Sequence, residues 1–401
     1  MTALATAPGV RPRAVRLEDL GELAPVSRAG GQGRVYRPQF APASLGPQPI
    51  VVKLYRRTPQ PDAAAVLTEM VAWGRSLAPD QRAWLHSIAA WPVAVVHVRT
   101  RATGIVMRDL TRRFAVPFVM PSGRRERVLL TLEHLLGADG YLQLRGLGVR
   151  LDTRRRAEVA ERVSAGMAFL HREGIAVGDI APNNLLVALG GATQICFIDC
   201  DSMAFRGRSA LPSVQTGDWE IPESFGEPPG TRAADAYKLG LVILRLLARA
   251  HDARTPEPYL RFVPVELREL LYRSMGESAV NRPAPGEWQR ALRGLLADGH
   301  LDERYPGPAP APPALPPAPV APVTPKRAAA TPPPVPNPVI GLWLRRAVVA
   351  LWLVAGTAVL LLVLSRLFAA AVPAPDSGSP APHYFQYYYP GERGDGINQL
   401  P

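Results

Sequence analysis

The sequence predicts an α+β chain in two lobes, a small β-rich N-lobe over about 12–108 and a helical C-lobe over about 111–303. A Pro/Ala-rich linker and a single transmembrane helix follow. Three observations predict this. A glycine cluster opens a run of strand-like segments. An amphipathic helix precedes two short apolar strands that are flanked by acids and an amide. The composition then changes abruptly at Pro306. With 401 residues, 47% of them hydrophobic, the chain can bury a sizeable core. It carries 46 basic and 34 acidic residues for a net charge of +12, yet only Lys53, Lys238 and Lys326 are lysine. That excess comes without groove-entering or base-stacking elements, so no nucleic-acid partner is expected. Two cysteines exclude a disulfide scaffold and a four-cysteine zinc site.

In the N-lobe, Gly30-Gly31-Gln32-Gly33-Arg34-Val35-Tyr36 is followed by Ile50-Val51-Val52-Lys53-Leu54-Tyr55. Glycines let backbone N–H groups approach phosphate oxygens, and Val35 predicts a strand folded over them. Lys53 falls in an apolar strand about 20 residues beyond, where an ammonium is costly unless it is paired or meets a ligand. The spacing predicts a helix over 61–77 with Pro61 in its first turn. Its one mid-helix acid, Glu69, is the expected partner of Lys53.

In the C-lobe, Ala160, Val163, Met167 and Leu170 recur at helical steps within a helix predicted over 154–173. Gly178-Asp179-Ile180-Ala181-Pro182-Asn183-Asn184 follows, then a strand from Leu185 to Ala188. A second apolar strand, Cys196-Phe197-Ile198, ends in Asp199-Cys200-Asp201-Ser202. An acid, an amide and a further acid delivered by adjacent strand ends suit a divalent ion on a triphosphate. Cys196 and Cys200, four apart in an extended run, are too far apart for a disulfide and are expected in the core. His171, at a helix end, is expected to pack.

The ordered set resembles the protein-kinase superfamily, with its glycine loop, strand lysine, helix glutamate, HRDxxxxN and DFG motifs. Trp219-Glu220-Ile221-Pro222-Glu223 matches APE. Asp235 to Gly240 matches the large central C-lobe helix. Arg282, in Asn281-Arg282-Pro283, matches the arginine that pairs with the APE glutamate. The resemblance covers 20–297 and is strongest to bacterial kinase-like proteins of the GDIxPxN / IDCDS type, which lack the HRD arginine. It implies a bilobal protein-kinase-like fold that uses ATP and Mg2+ on serine or threonine hydroxyls of protein substrates. Backbone amides of Gly30, Gly31 and Gly33, with Val35, would cover the phosphates. Lys53, paired with Glu69, would hold the α- and β-phosphates, and Asp179 would accept or orient the hydroxyl proton. Asn184 and Asp199 would hold Mg2+. Met107 would sit behind the adenine while the backbone from Arg108 to Leu110 bonds its edge. Glu223, Asp235 and Arg282 would be structural. Ser202, Ser209, Ser213 and Thr216 are candidate autophosphorylation sites.

Several positions depart from the family pattern. Arg28 replaces the first loop glycine, Val177-Gly178 replaces His-Arg, Ala181 replaces the catalytic-loop lysine, and Asp201 replaces the DFG glycine. Two other functions stand beside the kinase. One is a pseudokinase acting as a membrane-tethered interaction module. The other is a small-molecule phosphotransferase of the aminoglycoside type, favoured by Gly178-Asp179 but opposed by Glu223, Asp235 and Arg282.

The linker, 306–338, holds 15 prolines in 33 residues and is predicted to be an extended spacer. Ala347 to Ser365 is 19 residues without a charge, about 28 Å as a helix, which predicts a span over 345–368. Lys326, Arg327, Arg345 and Arg346 precede it, so the kinase-like part is expected in the cytoplasm of a single-pass cell-membrane protein. The short extracytoplasmic tail, 372–401, has too few residues for a core, and Met1 to Arg16 has no signal-peptide run. A homodimer through the span is left open, since no glycine pair at four-residue spacing argues for it.

Overall fold

A computed structural model describes residues 13–26, 32–212 and 215–307. Arg28, Gly30, Gly31, Ser213, the linker beyond Gly307, the 345–368 span with any dimer contact through it, and the 372–401 tail lie outside the described residues. Among the described residues, no helix is long and apolar enough to cross a membrane.

Six strands build the N-terminal sheet: β1 (Ala14–Arg16), β2 (Leu23–Pro25), β3 (Gly33–Pro38), β4 (Ile50–Tyr55), β5 (Ala94–Val98) and β6 (Arg101–Arg108). Their order is β1-β5-β6-β4-β3-β2, antiparallel except between β1 and β5. Gly33 opens β3 against Tyr55, where a Cβ would lie 2.4 Å from the Leu54 carbonyl oxygen. The missing side chain therefore lets β3 close on β4. Strand alternation splits β4 and β6 between two cores. Val51, Ile105 and Met107 pack on one face, and Ile50, Val52 and Val106 on the other.

Between β4 and β5 run α1 (Pro61–Ser76) and α2 (Pro79–Ile88), each starting on proline. Val66, Leu67, Met70 and Trp73 of α1 are buried. Trp73 meets Trp91 edge-on, with ring centroids 5.0 Å apart, and lies 5.8 Å from Phe205 of the helical region. These aromatic contacts join the two lobes.

After β6 come α3 (Thr111–Phe114), a hairpin of β7 (Ala115–Val119) and β8 (Arg125–Leu129), α4 (Tyr141–Leu144) and α5 (Thr153–Arg172). Asp152 caps α5 by accepting from Arg155 N at 2.8 Å. The site segment contains β9 (Ile175–Ala176), the antiparallel pair β10 (Leu185–Ala188) and β11 (Gln194–Phe197), then β12 (Ala204–Phe205) and β13 (Arg208–Ser209). The chain continues through α6 (Arg232–Ala248), α7 (Val265–Met275), α8 (Pro285–Leu296) and α9 (Leu301–Arg304). Most of α5 and nearly all of α6 is buried, as core helices require. An N-terminal sheet followed by a helical region is an α+β arrangement that fits a kinase-like fold.

Candidate active site

Lys53, central in β4 and 4% exposed, is held by two carboxylates. Its Nζ lies 2.9 Å from Asp201 Oδ1 and 3.3 Å from Asp199 Oδ1. Gln32 Oε1 is at 3.5 Å. Burial alone would lower the ammonium pKa, but the Asp201 and Asp199 charges outweigh it and raise it. Both acids lie just beyond β11, where Asp199 takes a left-handed conformation (φ 56°, ψ 35°) that starts a tight helical turn over Cys200–Ser202. That turn drops Asp201 into the interior. Asp201 is fully buried, and both of its carboxylate oxygens lie 2.9 Å from the Lys53 Nζ.

The expected Lys53–Glu69 pair does not form. Glu69, on α1, is bonded instead to Arg208 of β13. The reason is local: the Lys53 ammonium is already matched by two acids, and the exposed Arg208 guanidinium captures the half-exposed Glu69 carboxylate.

Asp179 is positioned from below and from both sides. Gly178 has φ 78°, which a side chain would strain, so glycine suits the turn where the kinase pattern has arginine. Asp235, fully buried in the first turn of α6, accepts from Val177 N at 2.6 Å, Gly178 N at 2.8 Å and the His171 ring at 2.8 Å. Lys238, one turn on and also fully buried, donates to the Gly178 carbonyl at 2.9 Å. Burial lowers its ammonium pKa, and the Asp179, Asp235 and Glu220 charges oppose that. Asn184 Nδ2 donates to Asp179 Oδ2 at 2.8 Å, and its carbonyl accepts from Ile198 N at 2.9 Å, tying this loop to the Asp199 strand. The Thr216 backbone N–H and hydroxyl both reach Asp179 Oδ1 at 3.2 Å.

At the expected hinge, Met107 is buried against the core. The Asp109 N–H is spent on the Pro49 carbonyl at 2.9 Å, and the Leu110 carbonyl accepts from Arg113 and Phe114 at the start of α3. The Asp109 carboxylate is occupied by Thr111 N at 2.8 Å and Arg37 at 3.1 Å. Of the 108–110 backbone expected to bond an adenine edge, the Asp109 N–H and the Leu110 carbonyl therefore already have partners within the chain.

Arg282 also departs from its expected partner. Its buried guanidinium pairs with Glu227, with Nη2–Oε1 at 2.5 Å and Nη1–Oε2 at 2.7 Å. Glu223 is exposed in a short turn over Glu223–Phe225. Left-handed Gly226 reverses the chain after that turn and brings Glu227, not Glu223, toward Arg282. Cys196 and Cys200 are free and buried, and burial pushes the Cys196 thiol up to about 12, which leaves it unreactive.

Asp201 was visible in the sequence only as a departure from the DFG glycine, and its place on Lys53 needed the turn geometry. Lys238 carried the same signal as Lys53, a rare lysine among apolar neighbours. Glu227, Arg208 and the Thr216 contact had no sequence signal. Among the described residues, no group of three or more His, Cys, Asp or Glu side chains is placed to hold a metal.

No family model matches the chain. Among curated proteins it is similar to a probable serine/threonine-protein kinase of Dictyostelium discoideum, 26% identical over 127 residues, covering 31% of this chain and 14% of that protein. It is 27% identical over 134 residues to the serine/threonine/tyrosine-protein kinase HT1 of Arabidopsis thaliana, covering 33% and 32%. It is 25% identical over 198 residues to the probable inactive leucine-rich repeat receptor kinase XIAO of rice, Oryza sativa subsp. japonica, covering 46% and 16%. The chain thus spans a third or less of each. These distant, partial relatives support placing the chain in the protein-kinase superfamily.

Proposed function

We propose that the described part of the chain is a serine/threonine protein kinase using ATP and Mg2+, anchored to the cell membrane through residues 345–368 with the kinase part cytoplasmic. The observation that carries the reading is a hydroxyl on a braced carboxylate: Thr216 Oγ1 donates to Asp179, while Asp235 and Lys238 hold the backbone beneath it. A substrate hydroxyl at the same place would be oriented by Asp179 and give up its proton to it. The residues fit the cofactors. Lys53 is a buried cation in a cluster that also holds a half-exposed acid, Asp199, and a fully buried one, Asp201. Lys53 would neutralise phosphate charge, and Asp199 with Asn184 would supply hard oxygen ligands to Mg2+. ATP supplies the phosphoryl group, and Mg2+ neutralises its charge. Asp201 would keep Lys53 extended, the task expected of Glu69.

The pseudokinase reading is favoured by the Glu69–Arg208 pair and by the absence of a lysine at Ala181. A small-molecule phosphotransferase is a third reading, but it has no structural support beyond the Gly178-Asp179 turn. The test is incubation of the full-length chain with labelled ATP, Mg2+ and a general protein substrate. Label on serine or threonine that Asp179→Asn reduces by about 10³-fold or more supports the kinase. Full labelling by Asp179→Asn, or none by the native chain, refutes it.

A further inference from the structure

A second charged site lies away from Lys53. The end of α1, α2, the segment before β1 and the end of β6 line two adjoining pockets of about 110 and 420 Å3, the larger one open to solvent. Arg13, Arg75, Arg82, His86 and Arg108 line them beside the Trp91 wall, and no carboxylate lines either among the described residues. Arg108 is on the opposite face of β6 from Ile105, the residue paired with Lys53, so the pocket is distinct from the cluster around that lysine. Arg108 Nη1 and His86 Nδ1 are buried there with no hydrogen-bond partner. Arg82 and His86 are four apart on α2, so their side chains share a face. Arg82 Nη1 makes a long bond to the Arg75 carbonyl, 3.4 Å.

We propose that this pocket binds a multiply charged phosphate-type anion. Half-buried guanidiniums that converge on one pocket repel, and the buried Arg108 Nη1 and His86 Nδ1 are costly to leave unbonded. A tetrahedral oxyanion offers several acceptors at once and suits the planar donor forks of arginine better than one carboxylate does. The cavities exceed the volume of a single water, so they have room for such a group. The electrostatics agree with the geometry. Burial, then Arg108 and Arg82, push the His86 imidazole down to about 4. Burial, then Arg75 and Arg108, lower Arg13. A bound anion would counter the neighbouring positive charges at both. This site is independent of the kinase reading and would stand if that reading failed.

The probe is inorganic pyrophosphate, titrated into the full-length chain at physiological salt with EDTA present, followed by calorimetry and by histidine NMR. The expected result is saturable one-site binding and an upward shift of the His86 titration, assigned with His86→Gln. Arg82→Gln and Arg13→Gln should each weaken binding at least tenfold, while Lys53→Ala should change it less than twofold. Thermal melts confirm that each variant is folded. Absence of saturable binding, loss of binding in Lys53→Ala, or binding within twofold of native in the Arg13→Gln/Arg82→Gln double variant would each overturn the proposal.

Discussion

At Lys53, one buried cation faces two acids of unequal exposure. Asp199 is about half exposed, whereas Asp201 is fully buried and at the shorter distance. In a low-dielectric pocket the closer, drier carboxylate dominates. Asp201 therefore holds the lysine, and Glu69 on α1 is spare. Asp201→Asn is expected to cut phosphotransfer by about 10²-fold through misplacement of Lys53. Glu69→Ala should change it less than threefold. Steady-state rates of the two variants against native, with ATP binding measured in parallel, decide between them. A large loss in Glu69→Ala with a small one in Asp201→Asn would show that the conventional pair forms during turnover.

Among the elements, the segment leading into α6 is anchored by Arg282, whose side chain is fully buried while that of Glu227 is 13% exposed. Removing one partner of such a pair strands the other charge, at a cost of about 3–5 kcal/mol. Glu227→Ala should accordingly lower unfolding free energy by that amount in urea titrations. Glu223→Ala, at an exposed position, should stay within about 0.5 kcal/mol. Equal effects would show that Arg282 exchanges partners. The helix α2 carries a pH signature. His86 is held neutral with its pKa near 4, whereas the unfolded chain protonates it near 6.5. Between those values the unfolded state binds more protons, so stability is full above pH 6.5 and falls as pH drops toward 4. The expected loss is on the order of 1–3 kcal/mol. His86→Gln should flatten that slope in urea melts from pH 7 to 4.5, and an unchanged slope would assign it to other groups.

Across the molecule, what the sequence made legible is what periodicity and composition encode. The helix expected over 61–77 runs Pro61–Ser76, the one over 154–173 runs Thr153–Arg172, and the strand over 185–188 is β10. The proximity of Asp179 to Asn184 was also legible, because the two stand five apart in one loop. Partner choice was not. Asp201, Glu227 and Arg208 reach their partners through left-handed residues and short hairpins, whose direction no spacing rule reports. The α2 pocket was missed for a related reason: its arginines come from four separate stretches of sequence in an arginine-rich chain. In the C-terminal stretch, composition carries the expectation. There the uncharged 347–365 run is long enough for the hydrocarbon core, and basic residues stand before it. The full-length chain is therefore expected in the membrane fraction after carbonate extraction, and a chain ending at Pro306 in the soluble fraction. Protease added outside intact cells should trim only the 372–401 tail. Recovery of the full-length chain in the soluble fraction would remove the anchor from the proposal, and a tail cut only after lysis would reverse the orientation.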